Sequence, residues 1–159
     1  RWRPGVLNMN DGLLLWLEHL IYCALGGTGS SRMYGRQQSR WCFPAVPQSE
    51  AMAALNDYIA GYLDGLRQPL MLLSKSGGAW LTASYDKKSQ QLLTDEATQL
   101  KARNRLLTAW SGSYQVEGEG SDPYLQRLCR VLDEAQLQQI TEAAQHWYLP
   151  VLAAHQDDE

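Results

Sequence analysis

The chain has 159 residues, 45% hydrophobic and 19% charged, with a formal net charge of −3. That suits one globular domain, or a domain with an extension, able to bury roughly two-thirds of its unfolded surface without staples. The acidic balance argues against a free-standing nucleic-acid binder, and Cys23, Cys42 and Cys129, odd in number and without a CxxC pair, point away from a secreted disulfide scaffold and toward a reducing, cytoplasmic compartment.

Residues 1–8 read as an extended segment broken by Pro4-Gly5. The run from Asp11 to Gly27 then predicts a core helix, capped by Asn10 or Asp11 and ended by Gly26-Gly27 in a left-handed turn. Leu13, Leu17, Leu20 and Ala24 make one apolar row, with Leu14, Ile21 and Leu25 beside it, so neighbours are expected to cover it on several sides. It is too short for a comfortable membrane span, and Glu18 and His19 sit near its middle. After a GGTGSS loop, residues 32–46 predict a hairpin with aromatic-rich arms and a turn near Gln37 to Ser39.

Ser49 is placed to cap a second helix reaching Leu66, with Met52, Leu55, Ile59, Tyr62 and Leu66 as its apolar stripe. Leu70 to Leu73 reads as a short buried strand. Ser76 is placed to cap a short helix reaching about Tyr85, and Thr94 or Asp95 opens a longer one to Trp110, with Ala97, Leu100, Leu107 and Trp110 facing in. Residues 111–121, small and acidic, read as a linker between a portion spanning 1–110 and a helical segment spanning 122–159. Asp122-Pro123 and Asp133 with Gln136 mark two helix starts in that segment, Leu137, Ile140, Ala144 and Trp147 face its core, Pro150 ends it, and the tail Gln156 to Glu159 reads as disordered. Helix dominates: the class is α+β, helix-rich. No signal peptide, membrane-spanning run or lipidation motif is seen, and the missing initiator Met reads as a piece of something longer.

The search for chemistry leaves few candidates. Ser74 to Gly78 (SKSGG) has the place of a phosphate cradle but not its full spacing, against an ordinary turn. His19, His146 and His155 have no second histidine at i+3 or i+4, and His19 reads as a packed or surface residue of its helix. Glu117, Glu119 and Asp122 could hold a hard cation or belong to a solvated loop, and Asp86-Lys87-Lys88 has the spacing of a metal-dependent nuclease or of a surface turn. The best local candidate is the hairpin. Arg32, Tyr34, Arg36, Arg40 and Trp41, with Phe43, combine guanidinium groups and aromatic faces that can neutralise phosphate and stack bases. The alternative is an edge hairpin with aromatics turned inward. The charge is uneven: residues 1–43 carry five Arg against Asp11 and Glu18, the remainder nine Lys and Arg against fifteen Asp and Glu.

RPG at Arg3 to Gly5, WLEH at Trp16 to His19, GY at Gly61-Tyr62, GGAWL at Gly77 to Leu81, GEG at Gly118 to Gly120, YLQRL at Tyr124 to Leu128 and LP at Leu149-Pro150 occur in that order. The ordered set resembles the carboxyl-terminal region of the RecC family, the gamma subunits of bacterial exodeoxyribonuclease V. The resemblance implies a PD-(D/E)xK nuclease-like fold that has lost its active site, truncated here at its N-terminal side and followed by a helical extension. It implies a non-catalytic scaffold of the RecBCD helicase–nuclease, with RecB, RecD and DNA as partners, no membrane, and Mg²⁺ and ATP chemistry belonging to the partner subunits, so that this chain carries no cofactor. In the implied register Arg1 and Arg3 take the acid and lysine places of an active relative, and a guanidinium repels Mg²⁺. Two other readings stand beside it: a protein-interaction domain without DNA contact, and a divergent nuclease using Asp86, Lys88 and the Glu117 group.

Overall fold

The computed structural model describes residues 1–157. Helices dominate, joined by small antiparallel two-stranded sheets, so the α+β, helix-rich expectation holds. The chain divides into two compact units: Arg1–Leu70 with the segment from Pro150 onward, and Met71–Leu149, which contains residues 111–121.

The first unit is built on α1 (Met9–Ala24). Its cap is Asn8, not Asn10 or Asp11. The Asn8 side chain accepts the Asp11 N–H at 3.2 Å and the Asp11 carboxylate accepts the Asn8 N–H at 2.9 Å, a reciprocal box that satisfies two orphan donors and starts the helix earlier. Gly26, at φ +91°, ends it in the left-handed turn its position predicts. The buried face is Met9, Gly12, Leu15, Trp16, His19, Leu20 and Cys23, with Asp11. Leu14, Ile21 and Leu25 are exposed, which corrects the expectation of cover on several sides: the heavy apolar content hid which row faces inward.

Strands β1 (Ser31–Tyr34) and β2 (Arg40–Phe43) pair antiparallel, with Tyr34 opposite Arg40 and Met33 opposite Trp41. Gln37 and Gln38 make the turn at φ 56° and 59°. Neither flank of the hairpin is a bare edge. Residues 1–3 run parallel beside β1, Trp2 pairing with Tyr34, the Arg3 N–H donating to the Tyr34 carbonyl at 2.9 Å and the Tyr34 N–H to that of Arg1 at 3.0 Å. Beyond β2, the Gln156 N–H donates to the Cys42 carbonyl at 3.0 Å. Gln156 is therefore held in place, contrary to the disordered tail expected; Asp158 and Glu159 of that tail lie outside the described residues.

Helix α2 (Gln48–Gly65) is capped by Pro47 rather than Ser49, without a side-chain bond, while the Gln48 amide donates to the Ala24 carbonyl at the end of α1 at 2.7 Å. It packs on α1, and its buried residues are the small Ala51 and Gly61. The predicted stripe is not a core face: Met52, Ile59, Tyr62 and Leu66 are all exposed.

In the second unit, α3 (Ser76–Ser84) packs against α4 (Glu96–Ser111) and α6 (Glu134–Trp147). Residues 70–73 form no strand; Leu73 is buried by an irregular segment leading into α3. Asp95 caps α4 as expected, but the inward residues are Ala102 and Leu106, and Leu100 is exposed. Short hairpins join β3 (Tyr85–Asp86) to β4 (Gln91–Leu92) and β5 (Gly112–Ser113) to β6 (Val116–Glu117), so the stretch read as aperiodic linker is structured, with a 3₁₀ turn over Glu119–Ser121. Asp122 caps α5 (Pro123–Leu128), and Asp133 with Gln136 forms the predicted capping box of α6. Leu137, Ile140 and Ala144 are buried as read; Tyr148, not Trp147, is the aromatic buried there. Pro150 lies in the first turn of α7 (Leu149–Ala154), where a missing N–H costs nothing. Among the described residues no helix is long and apolar enough to cross a membrane.

Candidate nucleic-acid interface

Alternation along the strands sorts the first unit's sheet into two faces. On one lie Arg1, Arg3, Met33, Trp41 and Phe43, and their contacts show that this face meets α1. Arg1 pairs with Glu18 and Arg3 with Asp11. The Trp41 ring lies where a Cβ on Gly12 would stand, and its indole N–H donates to the Asn8 carbonyl at 3.1 Å. Phe43 meets the Trp16 ring at 5.0 Å between centroids. His19, fully buried, ties the same face to α1: its Nε2 lies 2.7 Å from the Pro44 carbonyl and its Nδ1 2.8 Å from the Ser31 hydroxyl. A carbonyl can only accept, so Nε2 carries a hydrogen and donates it to Pro44, while the Ser31 hydroxyl partners Nδ1. His19 is thus a packed residue with both nitrogens satisfied.

On the other face lie Trp2, Arg32, Tyr34, Arg40 and Cys42. Arg32 and Tyr34 are exposed and Arg40 is half-buried across from Tyr34. Arg36 is exposed at the turn, where its N–H donates to the Gly5 carbonyl at 2.8 Å and so ties the hairpin to the RPG segment. Gly35 is required there: a Cβ would meet the Gly5 carbonyl and the Ser39 hydroxyl. Of the five hairpin residues singled out in the sequence, four therefore gather on or beside this outward face. Trp41 is turned the other way and is only 8% exposed; its ring serves packing. The sequence reading missed Trp2, whose register opposite Tyr34 no local pattern reveals.

The other chemical candidates resolve into local structure. Asp86 accepts the Lys88 N–H at 3.2 Å on one oxygen, and the Ser89 N–H at 3.2 Å and hydroxyl at 2.7 Å on the other. The Ser89 hydroxyl bond, then the backbone bonds, hold its carboxyl below the usual carboxylate range. The D-x-K triplet is a surface turn. Glu119 accepts the Lys75 N–H at 3.0 Å and the Ser76 N–H at 2.7 Å, so a carboxylate of the chain itself fills the SKSGG cradle. Asp122 accepts the Tyr124 and Leu125 N–H groups at 2.8 and 3.1 Å. Among the described residues no group of three or more His, Cys, Asp or Glu is placed to hold a metal ion. In the second unit a cleft of about 520 Å³ lies between α4 and α6, floored by Trp80, Leu106 and Leu137 and crossed by a forked Arg103–Glu134 pair with one bond of 2.8 Å.

The fold and this face define a small α+β module with a cationic, partly aromatic sheet surface. A family model for the RecC C-terminal domain matches residues 1–85. The chain is 42% identical over 156 residues to the RecBCD enzyme subunit RecC of Escherichia coli (strain K12), covering 98% of this chain. It is 37% identical over 152 residues, 96% of this chain, to the RecC subunits of Buchnera aphidicola subsp. Acyrthosiphon pisum (strain APS) and subsp. Schizaphis graminum (strain Sg). The chain belongs to the RecC family, and spans 14% of the length of these relatives.

Proposed function

We propose that this chain acts as a non-catalytic scaffold module of a RecC-type subunit, holding the RecB and RecD subunits and guiding DNA strands in a RecBCD helicase–nuclease during cytoplasmic double-strand-break repair by homologous recombination. The fold is then a degenerate PD-(D/E)xK nuclease-like core, truncated at its N-terminal side and continued by a helical extension. The observation that carries the reading is the pairing of Arg1 with Glu18 and Arg3 with Asp11. In the register the family implies, cations stand in the acid and lysine places, and the nearest carboxylates of α1 are engaged with them instead of facing a metal. DNA contact is assigned to Arg32, Tyr34, Arg36 and Arg40 on the outward sheet face, with Trp41 behind it. The test is fluorescence anisotropy with labelled DNA at several salt concentrations. Binding should weaken steeply with salt, and Arg32→Glu with Arg36→Glu should weaken it and flatten the salt slope. Degradation of linear DNA with Mg²⁺, abolished by Asp86→Ala, would overturn the non-catalytic reading.

A second reading, protein contact without DNA, draws support from the exposed row on α2. Met52, Ile59 and Leu66 recur every seven residues, with Tyr62 between them, a period that fits a neighbouring helix. DNA affinity that is absent at all salt concentrations, and indifferent to the Arg substitutions, favours this reading.

A further inference from the structure

We infer that Trp2 and Tyr34 together form a base-stacking platform, which makes the outward sheet face selective for single-stranded nucleic acid over duplex. The inference rests on the nucleic-acid reading above and adds to it a residue, Trp2, and a strand preference. Residues paired across a sheet project to the same face, and Trp2 pairs with Tyr34, so the indole and the phenol project to one face from neighbouring strands. Trp2 is 70% exposed and Tyr34 43%. An indole left that open, in a protein that buries Trp16, Trp41 and Trp80 to within 8%, offers a large apolar face to water.

The surroundings supply the rest of the chemistry. Arg32 lies two residues before Tyr34 on the same strand and face, and Arg40 lies directly across from Tyr34. Arg1 and Arg3 stand outside this set, because they project to the opposite face, toward α1. Two rings on one face, with guanidinium groups at strand spacing beside them, match the alternation of base and phosphate in an unpaired strand. In a duplex the base faces are already stacked on one another and out of reach, so rings on an open sheet gain little from it.

The test uses the full chain and two labelled probes, an oligothymidylate of about twenty nucleotides and a duplex of equal length. The expected result is tighter binding of the single strand, with quenching of tryptophan fluorescence. Trp2→Ala should weaken single-strand binding about ten-fold or more, Trp2→Phe less, with duplex binding nearly unchanged. Trp2 is exposed, so circular dichroism should confirm an unaltered fold. Arg32→Glu with Arg36→Glu should weaken both probes. If the Arg pair weakens binding while Trp2→Ala does not, or the duplex binds as tightly as the single strand, the stacking inference falls and the electrostatic interface stands. If neither probe binds the parent chain, the interface falls with it.

Discussion

The Glu119 carboxylate accepts the backbone N–H of Ser76 at 2.7 Å and of Lys75 at 3.0 Å, so a residue from a distant turn caps α3 as a bound anion would. The GEG sequence makes the reach possible. A Cβ on Gly118 would strike the Trp110 carbonyl, and one on Gly120 the Trp110 ring, so only glycines let the turn lie against the end of α4. Glu119→Ala should destabilise the second unit by about 1–3 kcal/mol in urea unfolding, and Glu119→Gln by less, since an amide oxygen still accepts one bond. Millimolar phosphate should leave the parent midpoint unchanged and raise that of Glu119→Ala, which empties the cradle.

The same carboxylate acts on Tyr148. Burial first, then the nearby Glu119 charge, pushes its phenol up to about 12 from 10.0. Below pH 10 both folded and unfolded chains hold the proton and the contribution to stability is whole. Between pH 10 and 12 only the unfolded chain ionises, so stability falls, by about 2–3 kcal/mol in all for a two-unit shift. Tyr148→Phe should remove that alkaline decline. Comparing urea midpoints of parent and variant from pH 9 to 12 measures it, and parallel curves would show that Tyr148 titrates as an open phenol does.

Several local signals were legible, although the caps of α1 and α2 were not: Asn8 and Pro47 stand where Asn10 or Asp11 and Ser49 were expected. The Asp95 and Asp122 caps, the capping box of Asp133 with Gln136, and the turn at Gln37 to Ser39 each depend on residues within one helical turn of each other. Where the signal was tertiary, it failed. Helix α1 carries apolar residues on nearly every side, so periodicity could not say that Leu15 and Trp16 face inward while Leu14 and Ile21 do not. Helix α2 shows a clean stripe that remains exposed, because a stripe records what a helix is suited to meet and not what it meets in this chain. At the candidate site, the arginines of the hairpin were legible by composition. The burial of Trp41 depends on Gly12, some thirty residues away, and the placement of Trp2 on a parallel pairing with Tyr34. Neither leaves a mark at short range.

Glu134 should report the cleft between α4 and α6 by titration. The Arg103 side-chain hydrogen bond holds its carboxyl below the usual carboxylate range, and the same pair raises Arg103. The carboxylate is the bonded form, so the pairing is present above the unfolded value and is lost as pH falls through the lowered folded one. In a carbon-detected NMR titration Glu134 should titrate below the solvent-exposed glutamates, and Arg103→Gln should return it to their range. Both side chains are open to solvent, so thermal stability should change little with that substitution.

The exposed row on α2 and the buried core of α4 should respond oppositely to comparable insults. Ile59 is 54% and Leu66 67% exposed, whereas Leu106 is 1% exposed in the second unit. Ile59→Lys with Leu66→Lys removes little packed area, and lysine is a better helix former than isoleucine, so stability in urea should move by no more than about 0.5 kcal/mol. Leu106→Ala removes a side chain that is 1% exposed at the floor of the cleft between α4 and α6, and should cost about 2–5 kcal/mol. Gly12→Ala should also be costly, although alanine favours helix, because its methyl enters the Trp41 ring. The informative measurement is the pairing of stability with assembly. If Ile59→Lys with Leu66→Lys keeps the fold and DNA affinity but fails to bind the RecB and RecD subunits proposed as partners, the α2 row is a contact surface. If assembly is intact, the row is surplus apolar area and the protein-contact reading loses its support.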